Sequence, residues 1–273
     1  KVVAGIDIGG TNSEVGLVKR NGEVVKRASL KTRKHGVDFN AYLTELTRLI
    51  KDLVSDANLE LIGIGIGAPN GNVHTGSIEF APNLDWKGIV PVCEKLSTFF
   101  PGLPVKLTDD ANAAALGEKL FGNGKGIDDF VTITLGTGVG SGFIVNGQLM
   151  YGHDGMAGEV GHTVVDPHGR MCACGRRGCL ETYVSASGIV RTAAELLSIH
   201  QFNSKLAQIP FSELESKTIA QLAQEGDNVA MEVFEVTGKT LGMKLADIVA
   251  TTSPKVIFLA GGVVNAGELL LAP

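Results

Sequence analysis

The sequence predicts an α/β protein of two domains facing a cleft, and three observations carry that expectation. Apolar runs of strand length alternate with stretches of helical apolar spacing along the chain. Two strand runs, Val2–Ile8 and Phe130–Leu135, each lead into a Gly/Thr loop, a further strand and an Asn-Gly turn, a weak internal duplication. At 273 residues the chain can bury a substantial core and has the length of about two domains. The division expected is an N-terminal α/β domain over 1–109 and a C-terminal α/β domain over 110–273.

The elements follow in order. The run Val2–Ile8 ends in Asp7-Ile8-Gly9-Gly10-Thr11-Asn12, and 14–19 alternates into the hairpin signal Asn21-Gly22. Residues 24–30 return as a strand. Residues 38–54 place Phe39, Tyr42, Leu43, Leu46, Leu49, Ile50 and Leu53 at helical spacing. A buried strand over 61–67 closes at Ala68-Pro69-Asn70-Gly71, and a helix near 89–100 precedes a strand at 105–107. Asp110 reads as the N-cap of a helix over 111–120, which is rich in Ala, Leu, Glu and Lys. Phe130–Leu135 opens the second half, followed by Gly136-Thr137-Gly138-Val139-Gly140-Ser141-Gly142, a strand near 143–145 and the turn Asn146-Gly147. Helices over 188–198, 218–224 and 229–250 lead to the strand Val256–Ala260 and the turn Gly261-Gly262.

The formal net charge of −5 offers no basic footprint for nucleic acid. No apolar run reaches the ~18 residues of a membrane helix, and no secretory pattern opens the chain. A cytoplasmic location is therefore expected. The 36 glycines cluster after apolar runs, as backbone loops at strand ends would require. A start at Lys1 and a stop at Leu271-Ala272-Pro273 inside a helical pattern lead us to expect further segments at both ends.

Chemistry concentrates in a few places. Cys172, Cys174 and Cys179, at i, i+2 and i+7 behind His162, supply the ligand types of a closed tetrahedral zinc site, while Cys93 stands alone. Gly175 and Gly178 would let the backbone turn tightly enough for the sulfurs to converge. The competing reading is one local disulfide with a spare thiol, but a compact Cys/His set without a secretory pattern favours metal. Both glycine loops set bare N–H groups beside a threonine hydroxyl, a means of wrapping phosphate oxygens. Neither is a P-loop or a Rossmann fingerprint, and either alone could be an ordinary hairpin. Together with Asp7, a carboxylate able to serve Mg²⁺, they point to a nucleoside triphosphate. Asp110 is the candidate base, held ionised at a helix start and able to take a proton from an attacking alcohol, although many Asp caps only cap. Glu159, His162 and Glu181 beside the cysteines, with Asn83, would suit a polyhydroxylated ligand. Phe80 and Trp86 would form a sugar-stacking face or belong to the core.

This combination resembles the ROK family of bacterial sugar kinases, most closely its ATP-dependent glucokinase branch. The matching stretches are Asp7-Ile8-Gly9-Gly10-Thr11-Asn12, Pro82-Asn83-Leu84-Asp85-Trp86, residues 110–118, residues 136–142, Gly158-Glu159-Val160-Gly161-His162, the cysteine cluster through Glu181, and Leu259-Ala260-Gly261-Gly262-Val263. The resemblance implies an actin/hexokinase-like (ribonuclease H-like) fold and transfer of phosphate from ATP to a hexose, glucose first. It implies Asp110 as the base and Asn83, Asp109, Asp110, Glu159, His162 and Glu181 as sugar contacts. ATP would be held by Asp7, Gly9, Gly10, Thr11, Asn12, Gly136, Thr137, Gly138, Gly261 and Gly262, with Mg²⁺. His162, Cys172, Cys174 and Cys179 would bind a structural Zn²⁺, four protein ligands leaving no open position. The partners implied are the sugar and ATP, in a homo-oligomer, dimer or tetramer, with neither nucleic acid nor membrane. The alternatives are a kinase for N-acetylmannosamine, N-acetylglucosamine or fructose, or a sugar-responsive transcriptional repressor of the same family lacking its DNA-binding domain. Asp109 departs from the family's usual Asn, and family members continue past Gly261-Gly262 into helices that cover the first domain, so exposed apolar surface is expected here.

Overall fold

In the computed structural model the chain is described over residues 1–199 and 204–273, and it divides into two compact units. The first comprises Lys1–Ile127 with Gln148–Gly158, and the second Asp128–Gly147 with Glu159–Pro273. The expected boundary at 109/110 therefore falls inside the first unit. The helix that begins at Asp110 packs on strands that precede it, so a cut there would separate it from its own sheet.

The first unit is built on a five-stranded sheet of β1 (Val2–Ile8), β2 (Asn12–Val18), β3 (Val24–Lys31), β4 (Leu61–Ala68) and β8 (Val105–Asp109), ordered β3-β2-β1-β4-β8. β1 pairs antiparallel with β2 and parallel with β4, which in turn runs parallel to β8. Helix α1 (Phe39–Ala57) buries Phe39, Tyr42, Leu43, Leu46, Ile50 and Leu53, the spacing expected of one amphipathic face. Asp38 caps it, accepting the Ala41 N–H at 2.9 Å. Trp86 is 4% exposed and meets Phe39 edge-on at 4.9 Å, which settles it as core; Phe80 is exposed.

Where a helix over 89–100 is expected, Ile89–Val90 is a strand, β7, paired with β6 (Ser77–Glu79), itself paired with β5 (Gly71–Asn72). Helix α2 spans only Val92–Ser97, starting after Pro91, whose missing N–H suits a helix start. Helix α3 (Asp110–Phe121) follows β8 directly, and β11 (Gln148–Leu149) lies where the chain rejoins this unit. One face of the unit carries an open groove of about 750 Å³ lined by Val24, Leu107, Leu116, Leu120 and Phe121.

The second unit repeats the plan. β9 (Phe130–Leu135) pairs antiparallel with β10 (Val139–Val145) and parallel with β12 (Val256–Ala260), as β1 does with β2 and β4. The two glycine loops thus occupy equivalent places, at the turn from the central strand into its antiparallel partner. Helices α4 (Glu181–Val184), α5 (Ala186–Ile199), α6 (Ser216–Gln224), α7 (Asn228–Thr252) and α8 (Glu268–Leu271) complete the unit, whose core joins Val131, Ile133 and Leu135 to Ile189, Ile219, Val233 and Phe234. No helix among the described residues is long and apolar enough to cross a membrane.

Candidate active site and metal centre

In the first unit, parallel strands deliver functional groups at their carboxyl ends, the place where open α/β sheets bind ligands. Asp7 lies near the end of β1 opposite Glu14, and Asp110 stands directly after β8. The pair Asp109-Asp110 differs from expectation by one position. Asp109 is the N-cap, its Oδ1 accepting the Ala111 N–H at 3.0 Å and its Oδ2 the Asn70 N–H at 3.2 Å, while Asp110 opens the first turn. Asp110 is exposed on the surface of the unit, yet protein crowding around the carboxyl strips hydration and raises its pKa, opposed by the Ala111 N–H. The expectation that Asp110 is the N-cap is corrected: the structure gives that role to Asp109. Asp7 is raised as well, by lost hydration and then by the charges of Asp110 and Glu14.

The first glycine loop, Gly9–Asn12 in sequence, closes on itself through Gly9 N–H to the Asn12 carbonyl at 3.0 Å. The Asn83 carbonyl sits against Gly10, 2.8 Å from where a Cβ would stand, so Asn83 and the loop are brought together.

In the second unit, Gly136 N–H donates to the Gly138 carbonyl at 3.0 Å, and Ala186 at the start of α5 donates to the Gly136 carbonyl at 2.8 Å. Glu181 is aimed at this loop: its Oε2 accepts the Val139 N–H at 3.0 Å. A Cβ on Gly138 would lie 2.6 Å from that oxygen, so only glycine permits the approach. Glu159 precedes the short helical turn Val160–His162, which is pinned to β10 by Val160 N–H donating to Ser141 Oγ at 3.2 Å. Gly261 and Gly262 follow β12, at its carboxyl end.

His162, Cys172, Cys174 and Cys179 bring one ligand atom each to a common point, all within 4.8 Å of one another. Cys172 Sγ and His162 Nδ1 are 3.6 Å apart, as are Cys174 Sγ and Cys179 Sγ. A tetrahedral zinc with ~2.3 Å bonds to sulfur separates its ligands by about 3.8 Å, so the donor set fits. Both Gly175 and Gly178 adopt left-handed backbone, φ 87° and 72°, as the tight turn requires. All four cysteines are free thiols, so no disulfide spans the cluster. Burial alone would raise the Cys174 thiol, but the Arg176 N–H and guanidinium hold it near about 6. Burial pushes the Cys172 and Cys179 thiols up instead. Three sulfurs this close resist joint ionisation until a cation lies between them.

The sequence pattern of the ROK family matches residues 3–273. The chain belongs to the ROK family. It is similar to the glucokinase of Thermotoga maritima, 37% identical over 98% of this chain and 84% of that one. Similarity to the glucokinase of Halalkalibacterium halodurans is 38% over 98% of this chain and 82% of the relative. The crystal structure of a ROK family glucokinase from Streptomyces griseus in complex with glucose and AMPPNP aligns at TM-score 0.81 and 34% identity, covering 100% of this chain and 87% of that one. The fold is the actin/hexokinase-like one that the resemblance implies.

One residue of this ROK chain escaped the motif reading. Arg170 is only 9% exposed and sits between the metal loop and the helices behind it. Its Nε and Nη2 donate to the Glu195 carboxylate at 2.9 and 2.5 Å, its Nη1 to the Thr182 carbonyl at 2.6 Å, and its guanidinium lies 4.3 Å from the Tyr183 ring centre. With Arg176 and Arg177 in the same Gly/Cys stretch, no sequence signal singles Arg170 out, and only the fold shows which guanidinium is buried and given this many partners.

The cap at Asp109 makes a specific prediction. Asp109→Ala should lower unfolding free energy by about 0.5–2 kcal/mol, the usual loss of an N-cap. Asp109→Asn should keep the Ala111 bond and turn its NH₂ towards the Asn70 N–H, giving an intermediate loss by denaturant titration.

Proposed function

We propose that this ROK family member is an ATP-dependent hexose kinase that phosphorylates glucose at its 6-hydroxyl. The sequence similarity to glucokinases along nearly the whole chain supports the reaction class. The observation that carries the chemistry is Asp110, a carboxyl at the carboxyl end of parallel strands whose affinity for a proton is raised by its surroundings. A base of that kind is matched to a hydroxyl proton.

The sugar 6-oxygen attacks the γ-phosphorus in line, the bond to the β,γ-bridging oxygen breaks, ADP leaves, and Asp110 takes the hydroxyl proton. The amides of Gly10, Thr11 and Asn12 and of Thr137 and Gly138 face phosphate oxygens, while the Gly9 and Gly136 N–H groups close their own loops, with Gly261 and Gly262 on the nucleoside side. Asp7, already in the negative field of Asp110 and Glu14, suits Mg²⁺, which when bound offsets phosphate charge. Asn83, Asp109, Glu159 and His162 hold sugar hydroxyls, and Glu181 offers Oε1 while Oε2 stays on the Val139 N–H. His162, Cys172, Cys174 and Cys179 would hold Zn²⁺, whose contribution would be to fix the segment bearing Glu159 and His162.

A coupled assay across hexoses and amino sugars tests the reading. Glucose should show kcat/KM at least tenfold above N-acetylmannosamine or N-acetylglucosamine, about 1.4 kcal/mol of transition-state binding. An N-acetylated sugar that proves the better substrate retains the kinase and rejects glucose. Absence of transfer to any sugar rejects the kinase.

A further inference from the structure

Behind the first glycine loop lies a line of buried hydroxyls that no sugar or phosphate contact uses. Tyr42 and Ser13 are 0% exposed and Thr32 is 3% exposed. Tyr42 Oη and Ser13 Oγ are 2.8 Å apart, Ser13 Oγ and Thr32 Oγ1 are 2.8 Å apart, and Thr32 Oγ1 donates to the Gly9 carbonyl at 2.7 Å. Each hydroxyl has one proton, and a carbonyl can only accept. The last bond therefore fixes all the others. Thr32 gives its proton to Gly9, so Ser13 must donate to Thr32 and Tyr42 must donate to Ser13. The chain has one polarity, running from the phenol to the loop, and bonds aligned this way strengthen one another.

Thr32 also holds the loop a second time, its N–H donating to the Thr11 carbonyl at 2.9 Å. Together with the Gly9 N–H to Asn12 carbonyl bond, this draws the carbonyls of Gly9, Thr11 and Asn12 into protein hydrogen bonds. Among the described residues, the N–H groups of Gly10 and Thr11 have no acceptor. With three of its four carbonyls held by the protein and the Gly10 and Thr11 amides left over, the loop offers donors to a ligand, which is what a phosphate needs.

We propose that Thr32, backed by Ser13 and Tyr42, is a positioning residue that presets this loop for the phosphates of ATP. The inference rests on the kinase reading for its ligand, but the clamp itself does not. Thr32→Val keeps the shape and removes the hydroxyl. It should raise KM for ATP about tenfold, the effect of one lost hydrogen bond, and leave KM for glucose within twofold. Thr32→Ser should restore KM for ATP to within about twofold of the parent, because one donor bond is all the clamp needs from that side chain. Amide exchange at Gly9 and Thr32 should quicken in Thr32→Val and not in Thr32→Ser. If Thr32→Val folds poorly, Tyr42→Phe, which removes only the far donor, should give a smaller rise in KM for ATP, about two- to threefold, again without moving glucose.

A merely structural threonine would lower the melting temperature and leave the ratio of the two KM values untouched, and that result overturns the proposal. So does exchange at Gly9 unchanged by loss of the hydroxyl. A parent protein that binds no ATP overturns the kinase reading instead, and the exchange measurement then judges the clamp alone.

Discussion

Replacing Asp110 by Asn should reduce kcat by about 10²–10⁴-fold, the share general base catalysis contributes, while glucose affinity stays within a few-fold of the parent. The neighbouring Asp109 supplies the cap, and Asn at 110 keeps an amide oxygen for the Ala111 N–H, so the substitution spares the bonds at the helix start. A loss of activity from Asp110→Asn therefore reports on chemistry rather than folding. The pH profile adds an independent reading. Protein crowding around the carboxyl disfavours its charged form, so the pKa of Asp110 lies above the usual ~3.9 of an aspartate. Only the ionised form accepts a proton, so as pH falls the acid limb of kcat/KM should begin above that value and vanish with Asp110→Asn. Retention of more than about a tenth of the parental kcat, a loss smaller than base catalysis supplies, would falsify the assignment. Should Asp109→Asn prove the more damaging change to kcat, the roles of the two carboxylates are reversed.

Removing the metal should be the other large perturbation. Metal analysis should find about one zinc per chain, as a closed four-ligand site binds one ion. Cys174→Ser or a strong chelator should lower the melting temperature and raise KM for glucose at least tenfold, with KM for ATP changing less. Structural zinc supplies folding free energy outright, ~10–16 kcal/mol in small zinc peptides at neutral pH, so loss of the ion loosens whatever the ligands anchor. Here that is the turn Val160–His162, which follows Glu159 and contains a ligand. A zinc-free protein that binds glucose normally would sink the coupling, and finding iron or no metal in the purified protein would sink the ion's identity.

Features set by local chemistry were legible in the sequence. Ligand types at i, i+2 and i+7 announced the clustering of the three thiols with His162, and the apolar period of α1 announced its buried face. The duplicated strand-loop-strand pattern found its counterpart in the matching pairings of β1 and β9. Features that depend on distant partners were not legible. Ile89 and Val90 look like the start of a helix until β6 pairs with them. Two adjacent aspartates are equally good caps on paper, and only the extended backbone of Asp109, φ −59° and ψ 148°, decides between them. The raised pKa of Asp110 comes from crowding by the fold. Ser13, Thr32 and Tyr42 carry no motif at all and become a unit only when β2 and α1 come together.

The excursion of the chain between Ile127 and Gln148 bears on how the protein is made. The first unit receives its last piece, Gln148–Gly158, only after the β9–β10 hairpin of the second has been synthesised. That hairpin, in turn, lacks its parallel neighbour until Val256 arrives to pair with Phe130. Domains usually fold in turn as they leave the ribosome, at about 5–20 residues each second, but here the two maturations interleave. Strand pairing across so long a stretch is slow, because closing the intervening loop comes before any reward from contact. A soluble version of the first unit alone would therefore have to splice Ile127 directly to Gln148. A simple truncation at residue 109 would leave the sheet without α3, whose first turn carries Asp110.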